Sequence, residues 1–260
     1  MRIATWNVNS LKARLGRVTE WVDSVQPDVL CLQETKLKDE TFPGLEIESL
    51  GYEWAHHGSG RWNGVAILSK VGIKDVVTGF DDGVDDEPSE TRAITANCGG
   101  VQVTSVYVPN GRDPEHEMYR WKLQWLERLG SFMQRTAVEA GQPAIVLGDF
   151  NVAPQDNDVY DIKAFRDSTH VTSAERLGVR QLEEMGLRDV FREQWPQDRL
   201  YTWWDYRAGM FHKHKGMRID LAFATQDVAS RVEFALMDRN ARKGEGPSDH
   251  APVIVDVSVS

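Results

Sequence analysis

The sequence predicts an α/β sandwich, two packed β-sheets with helices on the outside. Three observations predict it. Short runs rich in Val, Ile and Leu recur along the whole chain, as buried strands do. Patterns with helical spacing lie between them. No low-complexity linker or short-period repeat breaks the alternation, so residues 1–260 are expected to form one layered domain.

Taken in order, residues 2–6 (RIATW) alternate as a strand does, and the fold is expected to begin at once. Leu11, Leu15, Val18, Val22 and Val25 line one face of a helix that ends near Pro27. Apolar strands follow at 28–32, 64–69 and 102–108. Met118, Trp121, Trp125, Leu129 and Phe132 mark a longer helix that stops at Gly141. A strand at 144–148, a shorter helix at 174–186 and strands at 219–224 and 252–258 complete the series. A faint echo links the halves: Trp6-Asn7-Val8-Asn9 and Asp149-Phe150-Asn151-Val152 each follow an apolar strand and end in an Asn-bearing loop.

Composition excludes several classes. Of the 260 residues 41% are hydrophobic and 27% charged, the balance of a water-soluble globular protein. No apolar run is long enough to span a bilayer, and the N-terminus lacks the plan of a signal peptide, so a cytoplasmic protein is expected. The two cysteines, Cys31 and Cys98, lie in apolar strand-like segments, which argues against a disulfide framework or a thiolate zinc site. No G-x-G-x-x-G or P-loop motif is present, so no nucleotide cofactor is expected. The net charge of −10 is awkward for a partner made of phosphates, but it is unevenly spread. Residues 81–90 (DDGVDDEPSE) carry six acids and no base. Between Asp205 and Arg218 the sign reverses, with Arg207, Lys213, Lys215 and Arg218 against Asp205 and with His212 and His214 beside them. Lys12, Arg14 and Arg17 add a basic face near the start.

Chemistry-bearing residues concentrate where strands end, the usual place for ligand sites in α/β sheets. Asn7 and Asn9 follow the first strand, and Glu34 follows the second in VLCLQET. Tyr107 stands in TSVYVPNG with Asn110 just beyond. Asp149 and Asn151 stand in IVLGDFNVAP. Asp220 in MRIDLAF pairs with the Ser248-Asp249-His250 run before the last strand. Any one of these is ordinary turn chemistry. Five together make a hydrolase inventory: carboxylates for a hard divalent cation, amides and a phenol for phosphate oxygens, and a carboxylate–imidazole pair. Without Cys ligands or an H-E-x-x-H motif, oxygen ligands and hence Mg²⁺ or Mn²⁺ are expected.

The segments WNVNS, LQETK, NGVAILSK, YVPNG, GDFNVAP, RIDLAFA and SDHAPV resemble, in order and spacing, the motifs of the exonuclease III branch of the endonuclease/exonuclease/phosphatase superfamily. DPEHEMYRWK, HVTSAER and WWDYRAGMF also resemble this branch more than its lipid-directed relatives. The resemblance runs from residue 1 to about residue 256 and implies a four-layer, DNase I-like sandwich of two mixed sheets flanked by helices.

It also implies a divalent-metal-dependent DNA repair phosphodiesterase, a monomer acting on double-stranded DNA at abasic sites and 3′ ends. Glu34 would be the principal metal ligand, with Asn7 and Asp249 assisting and Asp149, Asn151 and His250 around the ion. Asp149 would orient or deprotonate water, with Tyr107 as the alternative activating group. His250, kept cationic by Asp220, would bind the scissile phosphate. Tyr107, Asn110 and Asn151 would meet phosphate oxygens, and Asn9, Arg112 and His170 would line the substrate. Trp203, Trp204 and Met217 would surround the abasic sugar, although tryptophan suits a core equally well. Two rival readings keep nearly the same residues: a phosphoesterase for small-molecule or lipid substrates, and a non-catalytic nucleic-acid-binding relative.

Overall fold

In the computed structural model, residues 1–84 and 91–258 are described. Residues 85–90, most of the acidic stretch, lie outside the described residues. The first apolar run becomes β1 (Arg2–Asn7) and leads into α1 (Leu11–Val25), whose N-terminal amide at Ala13 is capped by Ser10. Beyond it come β2 (Val29–Gln33), α2 (Gly44–Ser49), β3 (Glu53–His57), β4 (Val65–Ser69), β5 (Lys74–Thr78), β6 (Ala93–Cys98) and β7 (Val101–Tyr107). The second half holds α3 (Glu117–Met133), β8 (Ala144–Asp149), α4 (Ser173–Glu184), β9 (Arg188–Asp189), α5 (Val190–Gln194), β10 (Asp220–Ala224), α6 (Gln226–Ala229), β11 (Val232–Met237) and β12 (Val253–Val257).

The strands form two six-stranded sheets, in the orders β11-β12-β1-β2-β4-β3 and β5-β6-β7-β8-β10-β9. Each sheet has a single parallel pair at its centre, β1 with β2 and β7 with β8, between antiparallel neighbours. The strands that carry WNVN and DFNV, β1 and β8, each belong to one of these central parallel pairs. The sheets pack on each other through Ile3, Cys31, Ile67, Ile94, Val103 and Leu147. Trp6, Val18, Trp21 and Leu30 seal α1 to the outer face of one sheet, while Trp125, Leu129, Val146 and Leu182 seal α3 and α4 to the other. The result is the four-layer mixed-sheet sandwich. Both cysteines are buried and free, and no helix is long and apolar enough to cross a membrane.

Five strands were not legible as apolar runs, and the physical reason is position. Four of them, β3, β5, β9 and β11, are the edges of the two sheets. An edge strand is packed less and tolerates polar residues, as KDVVT in β5 illustrates. The fifth, β6, is interior but carries Thr95, whose hydroxyl bonds that of Thr104 at 3.0 Å. The long helix ends earlier than Gly141: α3 stops at Met133 and a π-turn covers Gln134–Val138. Arg218 is a further correction. It is no surface base, being fully buried and bonded to Asp158 and Asp189. The positive run before it is therefore weaker than its sequence suggests.

Candidate active site

The centres of both sheets deliver their polar residues to one place. Asn7 closes β1 level with Gln33 on β2, and Glu34 is the next residue. Tyr107 and Asp149 are register partners at the ends of β7 and β8, and Asp149 faces Asp220 across β10. Several residues here take the left-handed backbone that non-glycine residues rarely adopt: Asn9 (φ 45°), Glu34 (φ 51°), Asn151 (φ 51°) and His170 (φ 80°). Such strain clusters where a side chain must be aimed. For Glu34 it is sustained by hydrogen bonds on both sides, from Ser10 N to the Glu34 carbonyl at 2.7 Å and from Thr35 N to the Gly64 carbonyl at 3.1 Å.

Ligand atoms of Glu34, Asp149 and His250 lie within 4.8 Å of one another. Asn7 Nδ2 bridges the two carboxylates, donating to Glu34 Oε1 at 2.9 Å and Asp149 Oδ2 at 2.8 Å. The other oxygen of Glu34 holds Lys36 Nζ at 2.9 Å, so an ammonium already sits where this carboxylate would grip a cation. Lys36 also donates to Asn9 Oδ1 at 2.6 Å. With carboxylate oxygens foremost and no thiolate, the donor set suits a hard divalent cation.

His250 is the pivot of the charge arrangement. Its Nδ1 meets Asp220 Oδ2 at 2.8 Å and its Nε2 faces Asp149 Oδ2 at 3.7 Å. Burial alone would neutralise the imidazole. The charges of Asp220, Asp149 and Asp249 overcome that and push its pKa up to about 10. A cationic imidazole has no lone pair for a metal, so in this protonation state His250 faces an anion better than a metal cation. Asp220 is itself fixed by Thr202, whose Oγ1 accepts from the Asp220 amide at 3.0 Å.

Asp149 is buried, and its pKa is pushed up to about 7. Burial is the main cause. The Asp220 and Glu34 charges add to it and the His250 charge opposes it. The Tyr107 phenol is driven well above its ordinary value by burial and by the charge of Glu34, so it stays a donor. Arg92 lies over its ring, 4.4 Å from the centroid.

Asn151 donates through Nδ2 to the Val108 carbonyl at 2.9 Å and accepts from Asn110 Nδ2 at 3.2 Å. His170 Nδ1 lies 2.6 Å from the Asn151 carbonyl. Burial, with the nearby Lys122 cation, lowers its pKa to about 4 and keeps it neutral. Asp249 spends both oxygens on protein donors, Asn9 Nδ2 and Trp203 Nε1, each at 3.0 Å. Burial opposes its ionisation, but the His250 charge and those bonds hold it below the usual carboxylate range. Arg112 stands apart on an exposed turn, its Nη1 3.4 Å from His116 Nε2. Trp203 is partly buried at the rim. Trp204 and Met217 are not on the surface: they are 0% and 2% exposed and pack among Tyr201 and Phe211, and among Val159 and Ile219, respectively. In this conformation neither presents a face to solvent.

Four supporting residues were given no role in the sequence reading, although Ser248 was named there within its run. Lys36 lies inside the LQETK motif, and Ser248 inside SDHAPV, where its hydroxyl donates to the Asn7 carbonyl at 2.7 Å and accepts from the His250 amide at 3.2 Å. Their motif membership was the available signal. Lys122 likewise closes the DPEHEMYRWK segment, whereas Thr202 lies outside every quoted motif and carried no signal.

The Endonuclease/Exonuclease/phosphatase family matches residues 4–250. The exodeoxyribonuclease III of Haemophilus influenzae is 32% identical over 265 residues, covering 97% of this chain and 98% of its own. The exodeoxyribonuclease of Bacillus subtilis is 31% identical over the full length of both. Among solved structures, an AP endonuclease from Archaeoglobus fulgidus is 38% identical with a TM-score of 0.94. A 3′-5′ exonuclease from Neisseria meningitidis is 37% identical with a TM-score of 0.96. Each covers, and is covered by, 100% of the chain.

Proposed function

The chain belongs to the Endonuclease/Exonuclease/phosphatase family, and from that premise we propose that it is a Mg²⁺- or Mn²⁺-dependent DNA repair phosphodiesterase that cuts beside abasic sites and trims 3′ ends. One observation carries the reading: Glu34 and Asp149 meet a His250 that Asp220 keeps cationic, so a cation site and an anion site adjoin. A 3′ phosphatase from Neisseria bound to product DNA hairpin is 36% identical over the full chain, which supports work at 3′ ends.

A phosphodiester is anionic and repels a hydroxide nucleophile until its charge is matched. A divalent cation held by Glu34, with Asn7 and Asp249 nearby, would polarise a phosphate oxygen and stabilise the leaving oxygen. His250, Tyr107 and Asn151 donate hydrogen bonds to the oxygens on which negative charge grows. Asp149, with a pKa near neutrality, takes the proton of the attacking water. Tyr107, its pKa raised by burial and by the charge of Glu34, stays protonated and serves as a donor, which supports Asp149 as the base. No step requires a covalent intermediate. Both sheets contribute residues to the site, which supports a single domain.

The test is a duplex with one abasic analogue beside an intact blunt duplex, with Mg²⁺ and with chelator. Nicking 5′ of the lesion and 3′ trimming, both abolished by chelator, are the expected result. Glu34→Gln should lower turnover at least a hundredfold and weaken metal binding measured calorimetrically, with DNA binding retained. Metal-independent cleavage, or activity on small phosphoesters alone, would reject the reading.

A further inference from the structure

We propose that Trp62, backed by Arg61, is a stacking platform for an unpaired nucleobase of the DNA strand that enters the site. The inference rests on the DNA-directed reading above and deepens it by naming a structural feature of the substrate.

The loop 58–64 joins β3 to β4 at the same sheet end as Glu34. Its backbone is bonded to the segment that carries this ligand. Thr35 N donates to the Gly64 carbonyl at 3.1 Å, Lys36 N to the Asn63 carbonyl at 2.8 Å and Asp39 N to the Gly58 carbonyl at 3.2 Å. Two glycines make so close an approach possible. A Cβ on Gly64 (φ +105°) would stand 2.2 Å from Thr35 Oγ1, and one on Gly58 would stand 2.3 Å from the Leu37 carbonyl oxygen. The loop is thus held at the rim, and Trp62 is the residue just before Asn63, about 3.8 Å away along the backbone.

On this held loop Trp62 is 70% exposed, more than any other aromatic among the large hydrophobic residues that reach the surface. Leaving so much of an indole in water has a cost that a ligand would remove. The Arg61 guanidinium lies 5.5 Å from the ring centroid. Lys38 adds a second cation beside the loop, its side chain 3.4 Å from where a Cβ on Gly60 would stand. An aromatic face amid basic residues is the arrangement that binds single-stranded nucleic acid without reading its sequence.

Net charge supplies the need. At −10 the chain is poorly equipped for binding through phosphates alone, whereas base–aromatic stacking does not depend on counterion release. Bases inside a duplex are stacked on both sides. Only a terminal, frayed or overhanging base offers a free face, so the occupant is an unpaired base near the 3′ end being processed.

The experiment compares the wild-type protein with Trp62→Ala, Trp62→Phe and Arg61→Ala on two DNAs: a duplex with a single-stranded overhang, and a fully paired duplex cut internally. Trp62→Ala should weaken binding to the overhang substrate roughly tenfold and raise KM for it, with the paired substrate changed less than about twofold. Trp62→Phe should recover part of the loss. Across a salt series, Trp62→Ala should keep the slope of log K against log salt, whereas Arg61→Ala should make it shallower by about one. Equal losses on both DNAs, or none on either, would overturn the inference while wild-type cleavage leaves the functional reading standing. Failure of the wild-type protein to bind or cut either DNA would instead remove the reading beneath it.

Discussion

At the scale of single residues, burial and charge set opposite protonation preferences a few ångströms apart in the proposed site. His250 is cationic because three carboxylates outweigh its burial, and Asp149 titrates near neutrality because burial outweighs its cationic neighbour. Asp220→Asn removes the partner at 2.8 Å and should return the imidazole toward its ordinary pKa. The basic limb of the kcat/KM–pH profile should then move about two units to lower pH, with turnover at neutral pH down on the order of a hundredfold. The sign for stability follows from the same shift. A histidine with a raised folded-state pKa contributes stability that is complete below its unfolded pKa of about 6.5 and is lost as pH rises through about 10. Thermal melts between pH 6 and 10 should show that loss in the wild-type protein and a flatter profile in His250→Asn.

At the scale of elements, two features hold the site loops in place. The first is the close approach of β7 and β8. A Cβ on Gly148, whose φ is +150°, would lie 2.0 Å from the Val106 carbonyl oxygen. Gly148→Ala should therefore destabilise the protein by on the order of 3 kcal/mol, measured by denaturant unfolding. Gly16 in α1 is the contrast: an added methyl meets nothing within 4 Å. Gly16→Ala should stabilise by about 0.5–1 kcal/mol because alanine costs less backbone entropy in a helix. The second feature is Lys122, fully buried on α3. Its Nζ donates to the carbonyls of Asn110 and Asn151 at 3.2 and 2.7 Å and to Glu175 Oε1 at 2.5 Å. Lys122→Met would strand the Glu175 carboxylate and should cost about 3–5 kcal/mol. Adding Glu175→Gln should restore part of it, which chemical denaturation of the single and double variants would reveal.

At the scale of the whole molecule, the uneven charge governs the encounter with DNA. Arg218, counted as a surface base from sequence, is locked inside with Asp158 and Asp189, and Arg17 caps the carbonyls of Ala241, Lys243 and Glu245. Fewer cations remain for phosphates than the sequence suggests. If three phosphates are neutralised, raising salt from 50 to 200 mM should weaken duplex binding about 40-fold. Equilibrium binding over that range checks it, and a flat response would mean that phosphate contacts contribute little. Acid should unfold the protein cooperatively. Asp158 and Glu175 are held below their ordinary pKa values by Arg218 and Lys122, against the burial that opposes ionisation. Their contribution is present above about pH 4 and disappears as pH falls through the lowered values.

The sequence by itself determined the layered fold, the central strands and the identity of the strand-end residues. Those features are local: buried strands must be apolar, and each polar group lies at or beside the end of a strand. Edge strands escaped notice because half-exposed residues leave no periodic signal. Only the tertiary structure decided that Arg218, Trp204 and Met217 are interior, that Asp249 is engaged by Asn9 and Trp203, and that Lys36, Thr202, Ser248 and Lys122 support the site. Such facts depend on which distant segments meet, as when Asn7 and Asp149, 142 residues apart, share one hydrogen bond. Burial and pairing are properties of the packed chain, and no local pattern of residues encodes them.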